Sequence, residues 1–198
     1  PVNKITKFKE KSRDRFLQGD ELPRFFKSLS IEPHTTARDF FLSSLLTGAR
    51  RANVLAMRWD ELNFERKTWL IPRTKNGTSQ TIPLVPEVLD ILINRKEASD
   101  GSEWVFSSNT SKTGHLVEPK KAWKRVLDRA GIKDLRMHDL RRSLGSWQAA
   151  TGANLSIIGK TLNHQDVATT AIYARLNIDP VRVSMEKAVS AMFSAGEK

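Results

Sequence analysis

The feature that most constrains this chain is a change of hydrophobic period near its middle. Thr68-Trp69-Leu70-Ile71-Pro72 and Gln80-Thr81-Ile82-Pro83-Leu84 are strand-like. Between them lies Asn76-Gly77, a pair whose residues accept the positive φ that a tight hairpin turn requires. Pro72 and Pro83 suit edge strands, because Pro donates nothing to a ladder. On both sides of this hairpin the period is helical. Within residues 35–48, Phe41 and Leu45 share one face, as do Leu42 and Leu46, and Gly48 is placed to end the helix. A shorter helical run, Arg51 to Met57, follows. Helical patterns return over 86–97, 119–130, 138–150, 154–162, 166–175 and 180–193. Gly19-Asp20-Glu21-Leu22 opens an earlier helix with Asp20 as its N-cap. Trp104-Val105-Phe106 is at most a short buried strand. There is no internal repeat and no low-complexity tract. The expected fold is mainly α with a small antiparallel β-sheet, an α+β domain.

Charge narrows the partners. The 198 residues carry 33 Lys and Arg against 22 Asp and Glu, a net charge of +11. A chain this basic attracts polyanions, nucleic acid first and an anionic membrane surface second. The helix over 119–130 shows this most clearly. Trp123, Val126 and Leu127 form its apolar side, while Lys120, Lys121, Lys124 and Arg125 make a basic side, a candidate DNA-facing surface. No helix pairs a concentrated cationic face with large exposed apolar residues, which argues against a membrane-surface role. No apolar run approaches the roughly 20 residues of a membrane span. The absence of cysteine excludes disulfides, thiol nucleophiles and cysteine-ligated metals. Residues 1–18 are basic with few apolar anchors, lack the core of a signal peptide and begin without Met. They read as a lead-in arm from a longer chain, ahead of a domain over 19–178 and a last helix and tail over 179–198.

Five short signals carry the candidate chemistry. Thr47-Gly-Ala-Arg50 places an arginine directly after a helix-ending glycine. Lys75 stands near the hairpin tip. In His138-Asp-Leu-Arg141 the His and Arg are three apart and share a helix face. Leu162-Asn-His164 falls between two helices, where a His can face a cleft. Tyr173 is the single tyrosine of the chain. Each signal alone is ordinary: tip lysines are commonly solvated, and a lone Tyr on an amphipathic helix is commonly a core residue. Together they are what phosphodiester transfer without a metal requires. Guanidinium groups match the non-bridging oxygens with bidentate, charge-assisted bonds. A phenol needs a base to remove its proton, a departing deoxyribose oxygen needs an acid, and Lys and His can carry those protons.

The order and spacing of these residues resemble the tyrosine recombinase, or phage integrase, family, over roughly residues 15–176. The stretch from Met137 to Leu176 is most similar to integrases of prophages and genomic islands of bacteria. The resemblance implies that Tyr173 attacks the scissile phosphate, forms a 3′-phosphotyrosyl link and releases a 5′ hydroxyl. Arg50 and Arg141 would clamp the phosphate, Lys75 would protonate the leaving oxygen, His138 would serve as base, and His164 would bond the phosphate. It further implies double-stranded DNA sites as partner, no cofactor and no metal. A homotetramer would form on DNA from a protomer that is a monomer in isolation, with the last helix docking on a neighbour. Accessory DNA-bending proteins, an N-terminal DNA-binding domain ahead of the lead-in and a place in the bacterial cytoplasm complete the expectation. Two residues depart from the family pattern. Asn53 stands where a Glu is common, and Asn163 where a Gly is usual. Asn tolerates positive φ better than other side chains do. Two competing readings are type IB topoisomerase-like strand breakage, against which His138 argues because that family has Lys there, and a DNA-binding module without catalysis.

Overall fold

A computed structural model of the chain describes residues 13–74, 77–174 and 179–196. Its elements run α1 (Glu21–Ser30), α2 (Thr35–Thr47), α3 (Arg51–Leu55), β1 (Leu62–Asn63), β2 (Thr68–Ile71), β3 (Gln80–Pro83), α4 (Pro86–Glu97), α5 (Lys120–Ala130), α6 (Asp139–Ala150), α7 (Leu155–Thr161), α8 (Val167–Ala174) and α9 (Asp179–Gly196). A 3-10 turn, Trp59–Glu61, precedes β1.

The centre of the domain is α2, which packs against α3, α4, α5 and α6. The sequence reads it as amphipathic, and the structure encloses it more fully. Phe40, Phe41 and Leu45 are buried, and so are Ser43, Ser44 and Thr47. The polar residues are accommodated inside the helix: Ser44 Oγ donates to the Phe40 carbonyl at 2.7 Å and Thr47 Oγ1 to the Ser43 carbonyl at 2.6 Å. Around α2 lies an aromatic core in which Phe41 meets Trp123 of α5 at 4.9 Å between ring centroids, and Phe40 meets Phe106 at 5.9 Å. Phe106 lies in the segment read as a short strand. Among the described residues that segment joins no named strand: it makes an isolated bridge from Trp104 to Arg58, Val105 N–H donates to the Met57 carbonyl at 2.9 Å, and the Phe106 carbonyl accepts from Leu116 N–H at 2.7 Å.

The hairpin forms as expected, β2 antiparallel to β3 with Trp69 opposite Ile82 and Ile71 opposite Gln80. Trp69, Ile71 and Ile82 face the core while Leu70 stays exposed, the alternation of a half-buried sheet. The two-residue β1 adds a third strand in the order β1-β2-β3. Pro83 therefore sits on an edge strand, and Pro72 just follows the central one.

The lead-in is tied down before α1 begins. Leu17 is fully buried, its N–H donates to Ser143 Oγ at 2.8 Å and its carbonyl accepts from Trp147 Nε1 at 3.0 Å. Arg13 forms an ion pair with the buried Asp139 at 3.0 Å. Residues 13–17 thus pack onto α6, the helix that carries the His-Asp-Leu-Arg motif. Asp20 holds the N-cap position of α1, but its side chain makes no capping bond; it pairs with Arg24 instead. A second, smaller apolar cluster of Ile158, Leu162 and Tyr173 lies where α6, α7 and α8 meet.

Candidate active site

Four sequence-predicted residues converge at that junction. The first is set by how α2 ends. Gly48 adopts φ 61°, and a Cβ there would lie 2.8 Å from Leu144 and 3.0 Å from Leu162, so both conformation and space call for glycine. The chain turns and delivers Arg50 to the N-cap position of α3. Arg50 Nη2 donates to the Asn163 carbonyl at 3.2 Å, while its Nη1 is buried without a hydrogen-bond partner.

Arg141 projects from α6 and is 6% exposed. One terminal nitrogen donates to the carbonyl of Gly48 and the other to the carbonyl of Leu162. These are the C-cap residues of α2 and α7, so the guanidinium joins the negative ends of two helices. Burial, and then Arg50, lower its pKa to about 10, with Tyr173 opposing; it remains charged at neutral pH.

His164 follows Asn163, whose φ of 47° meets the expectation that Asn can hold a position where the family has Gly. His164 Nδ1 lies 3.0 Å from Thr170 Oγ1. Burial, then Arg141 and Arg50, lower its pKa to about 4, leaving the ring neutral at pH 7. Tyr173, on α8, is 4% exposed. Its ring stacks near-parallel to His164 with centroids 6.4 Å apart. It also lies directly on Gly145 of α6: a Cβ there would come within 2.8 Å of the Tyr173 Cζ. Burial raises the phenol pKa, and Arg141 and Arg142 oppose the rise. The resting hydroxyl is therefore protonated and needs a base.

His138 occupies the N-cap position of α6, solvent-exposed on one side and walled by protein on the other. That protein, and then Arg141 and Arg142, pull its pKa below the ordinary value, with Asp139 opposing, so a neutral ring is available to accept a proton. Lys75 lies outside the described residues. The hairpin that carries it is joined to the site at its base, where Asn163 Nδ2 donates to Thr74 Oγ1 at 3.3 Å and Gln80 Nε2 donates to the Thr161 carbonyl at 3.1 Å. Asn53 N–H donates to the Arg50 carbonyl at 2.8 Å, and its side-chain Nδ2 is buried without a partner. The orienting contact to Arg50 comes from the Asn163 carbonyl.

The candidate DNA-contacting residues of α5 separate. Lys121 and Lys124 are exposed, and Lys120 pairs with Glu118 at 2.7 Å. Lys124 lines a groove of about 860 Å³ that reaches His138, its rim carrying Arg51, Lys133 and Arg136 but also Asp128 and Asp134, over an apolar wall that includes Trp123 and Leu127. Arg125 is placed differently, since its guanidinium is held by the buried Glu32. Sequence reading passed over Arg142. Its position four residues after His138 was a visible signal, because positions i and i+4 share a helix face. Among the described residues no cluster of His, Cys, Asp or Glu has the makings of a metal site, and no helix is long and apolar enough to cross a membrane.

The phage integrase family model matches residues 15–179. A prophage integrase of Escherichia coli K12, IntF, is 30% identical over 94% of this chain and 41% of its own length. The integrase of Salmonella phage P22 is 29% identical over 89% of this chain and 47% of its own length. The tyrosine recombinase XerA of Pyrococcus furiosus is 27% identical over 82% of this chain and 58% of its own length. The chain thus spans about half the length of these curated relatives. Among solved structures, a XerA recombinase superposes with a TM-score of 0.70 at 20% identity, over 90% of this chain and 66% of that one. The catalytic domain of the bacteriophage HP1 integrase does so with 0.64 at 18% identity, over 86% of this chain and 93% of that one. These likenesses show the tyrosine recombinase catalytic-domain fold, and the chain belongs to the phage integrase family.

Proposed function

We propose that this chain is the catalytic unit of a site-specific DNA recombinase that cuts and rejoins strands through a 3′-phosphotyrosyl link on Tyr173. One observation carries the reading. Beside a buried phenol and His164 stand the buried Arg141 and the half-buried Arg50 and Arg142, none paired with a carboxylate among the described residues. Buried cations without counter-ions are costly, and a DNA phosphate is the anion that would compensate them.

The chemistry follows from the protonation states. Neutral His138 takes the phenol proton as the Tyr173 oxygen bonds to phosphorus. Arg50 and Arg141 hold the non-bridging oxygens, and His164 hydrogen-bonds the same phosphate. The bond to the 5′ oxygen breaks, and Lys75 delivers a proton to that oxygen. A 5′ hydroxyl from the partner duplex then reverses each step, conserving the phosphodiester energy. Guanidinium and imidazole groups supply the electrostatics that a metal would otherwise provide. The relatives named above are integrases and recombinases, which favours strand exchange over topoisomerase-like relaxation.

Further assignments rest on the same reading. Lys121 and Lys124, with the groove leading to His138, face the DNA backbone. On α9, Val181, Met185, Val189, Met192 and Phe193 are 42–71% exposed, an apolar face suited to docking on a neighbouring protomer in a tetramer on DNA. The segment ahead of Arg13, where the chain begins to pack onto α6, leads from an N-terminal DNA-binding domain. The protein works with accessory DNA-bending proteins in the bacterial cytoplasm.

The test is a nicked duplex carrying a site selected for binding, from which the cleaved end diffuses away. Wild-type chain is expected to leave a protein–DNA adduct on a denaturing gel, and Tyr173→Phe none. A bound duplex that yields no adduct with wild type would leave only a DNA-binding module.

A further inference from the structure

We propose that Arg142 is a further catalytic residue, a guanidinium that holds the Tyr173 phenolate oxygen as it forms. This rests on Tyr173 being the nucleophile, and the helix geometry supplies the argument. His138, Arg142 and Gly145 fall at i, i+4 and i+7 of α6, on one stripe. The Tyr173 carbon that bears the hydroxyl lies directly over Gly145. The stripe therefore runs from the base, through Arg142, to the nucleophile. Arg142 stands close enough to the phenol to lower its pKa, and its Nη1 is buried without a partner.

Its neighbour differs in employment. Arg141 gives both terminal nitrogens to helix-end carbonyls. Arg142 keeps a donor in reserve for the charge that appears when the phenol loses its proton to His138. Arg142 transfers no proton itself. It stabilises the phenolate electrostatically until the oxygen bonds to phosphorus. The other charged or titratable groups around the phenol are Arg141 on α6 and His164 from the α7–α8 loop, with Arg50 beyond them beside Arg141 and His164.

Because the chain has a single tyrosine, tyrosinate absorbance near 295 nm reads this phenol alone. Arg142→Gln is expected to move its ionisation midpoint upward and to slow adduct formation by about 10²–10³-fold, the effect of removing one oxyanion donor. Duplex affinity should stay within a few-fold. Arg142→Lys, which keeps charge but loses the planar fork, is expected to fall between wild type and Arg142→Gln, and it serves if Arg142→Gln does not fold. An unchanged tyrosinate midpoint, or a loss of affinity as large as the loss of rate, would overturn the proposal. The titration uses no DNA, so it stands apart from the question of whether the chain cleaves.

Discussion

Two arginine clusters in this molecule are built on opposite terms. At the seam of α1 and α5, Arg125 and Arg129 share the fully buried carboxylate of Glu32, with Arg129 at 2.6 Å. Burial pushes the Glu32 carboxyl up, yet the bonds from Arg125 and Arg129 bring it below its ordinary value. Asp39 plays the same part for Arg38 and Arg95. At the junction of α6, α7 and α8, Arg50, Arg141 and Arg142 have backbone carbonyls and a phenol for company, and two of their terminal nitrogens are idle. A cluster that carries its own counter-ion is complete when the chain folds. A cluster without one is complete only when an anion arrives.

Breaking each cluster should therefore give different losses. The largest effect is expected from Arg141→Lys, which cannot bridge both helix ends or fork a phosphate: adduct formation should fall by about 10²–10³-fold, read in single-turnover cleavage. Next, Glu32→Gln should lower unfolding free energy by about 1.5–3 kcal/mol, the range for hydrogen bonds to charged groups, measured by urea melts. Cleavage per folded molecule should be unchanged. Arg50→Met sharpens the contrast: it removes an uncompensated cation and one hydrogen bond, so stability should change by less than about 1 kcal/mol while cleavage falls by about 10²-fold.

Burial of His164, and then the same unbalanced charge, predict a pH dependence. His164 titrates at about 4 in the folded chain, against about 6.5 when unfolded. Between those values the unfolded chain binds more protons, so stability present above the higher value is lost as pH falls toward the lower. The slope for one group is at most about 1.4 kcal/mol per pH unit. His164→Gln should flatten that part of the stability–pH curve. The smallest effect concerns the loop: at the Asn163 φ of 47°, Asn163→Ala should cost about 1 kcal/mol, and Asn163→Gly less, because glycine adopts that conformation freely.

The elements that sequence announced were those with strong local signals. Periodicity and Gly48 marked α2, Asn76-Gly77 marked the hairpin, and α4 spans the range that its pattern indicates. β1 escaped because two residues cannot show a period, and it exists only by pairing with β2. The packing of Leu17 escaped because a lone apolar residue in a basic stretch gives no pattern, and its partners lie on α6, far along the chain. In the site, motif spacing pointed to Arg50, Lys75, His138, Arg141, His164 and Tyr173, and the structure brings Arg50, Arg141, His164 and Tyr173 together. Spacing could not tell that Arg125 turns toward Glu32, or that Arg142 turns toward Tyr173. Both are matters of helix rotation against a neighbour distant in sequence.

The most direct test of the central claim is mass spectrometry of the peptide that carries the trapped DNA. After nuclease and protease digestion of the adduct, a nucleotide joined through its 3′ phosphate to Tyr173 is expected. A nucleotide on any other side chain, or a bound and cut duplex with no phosphotyrosyl peptide, would contradict the account.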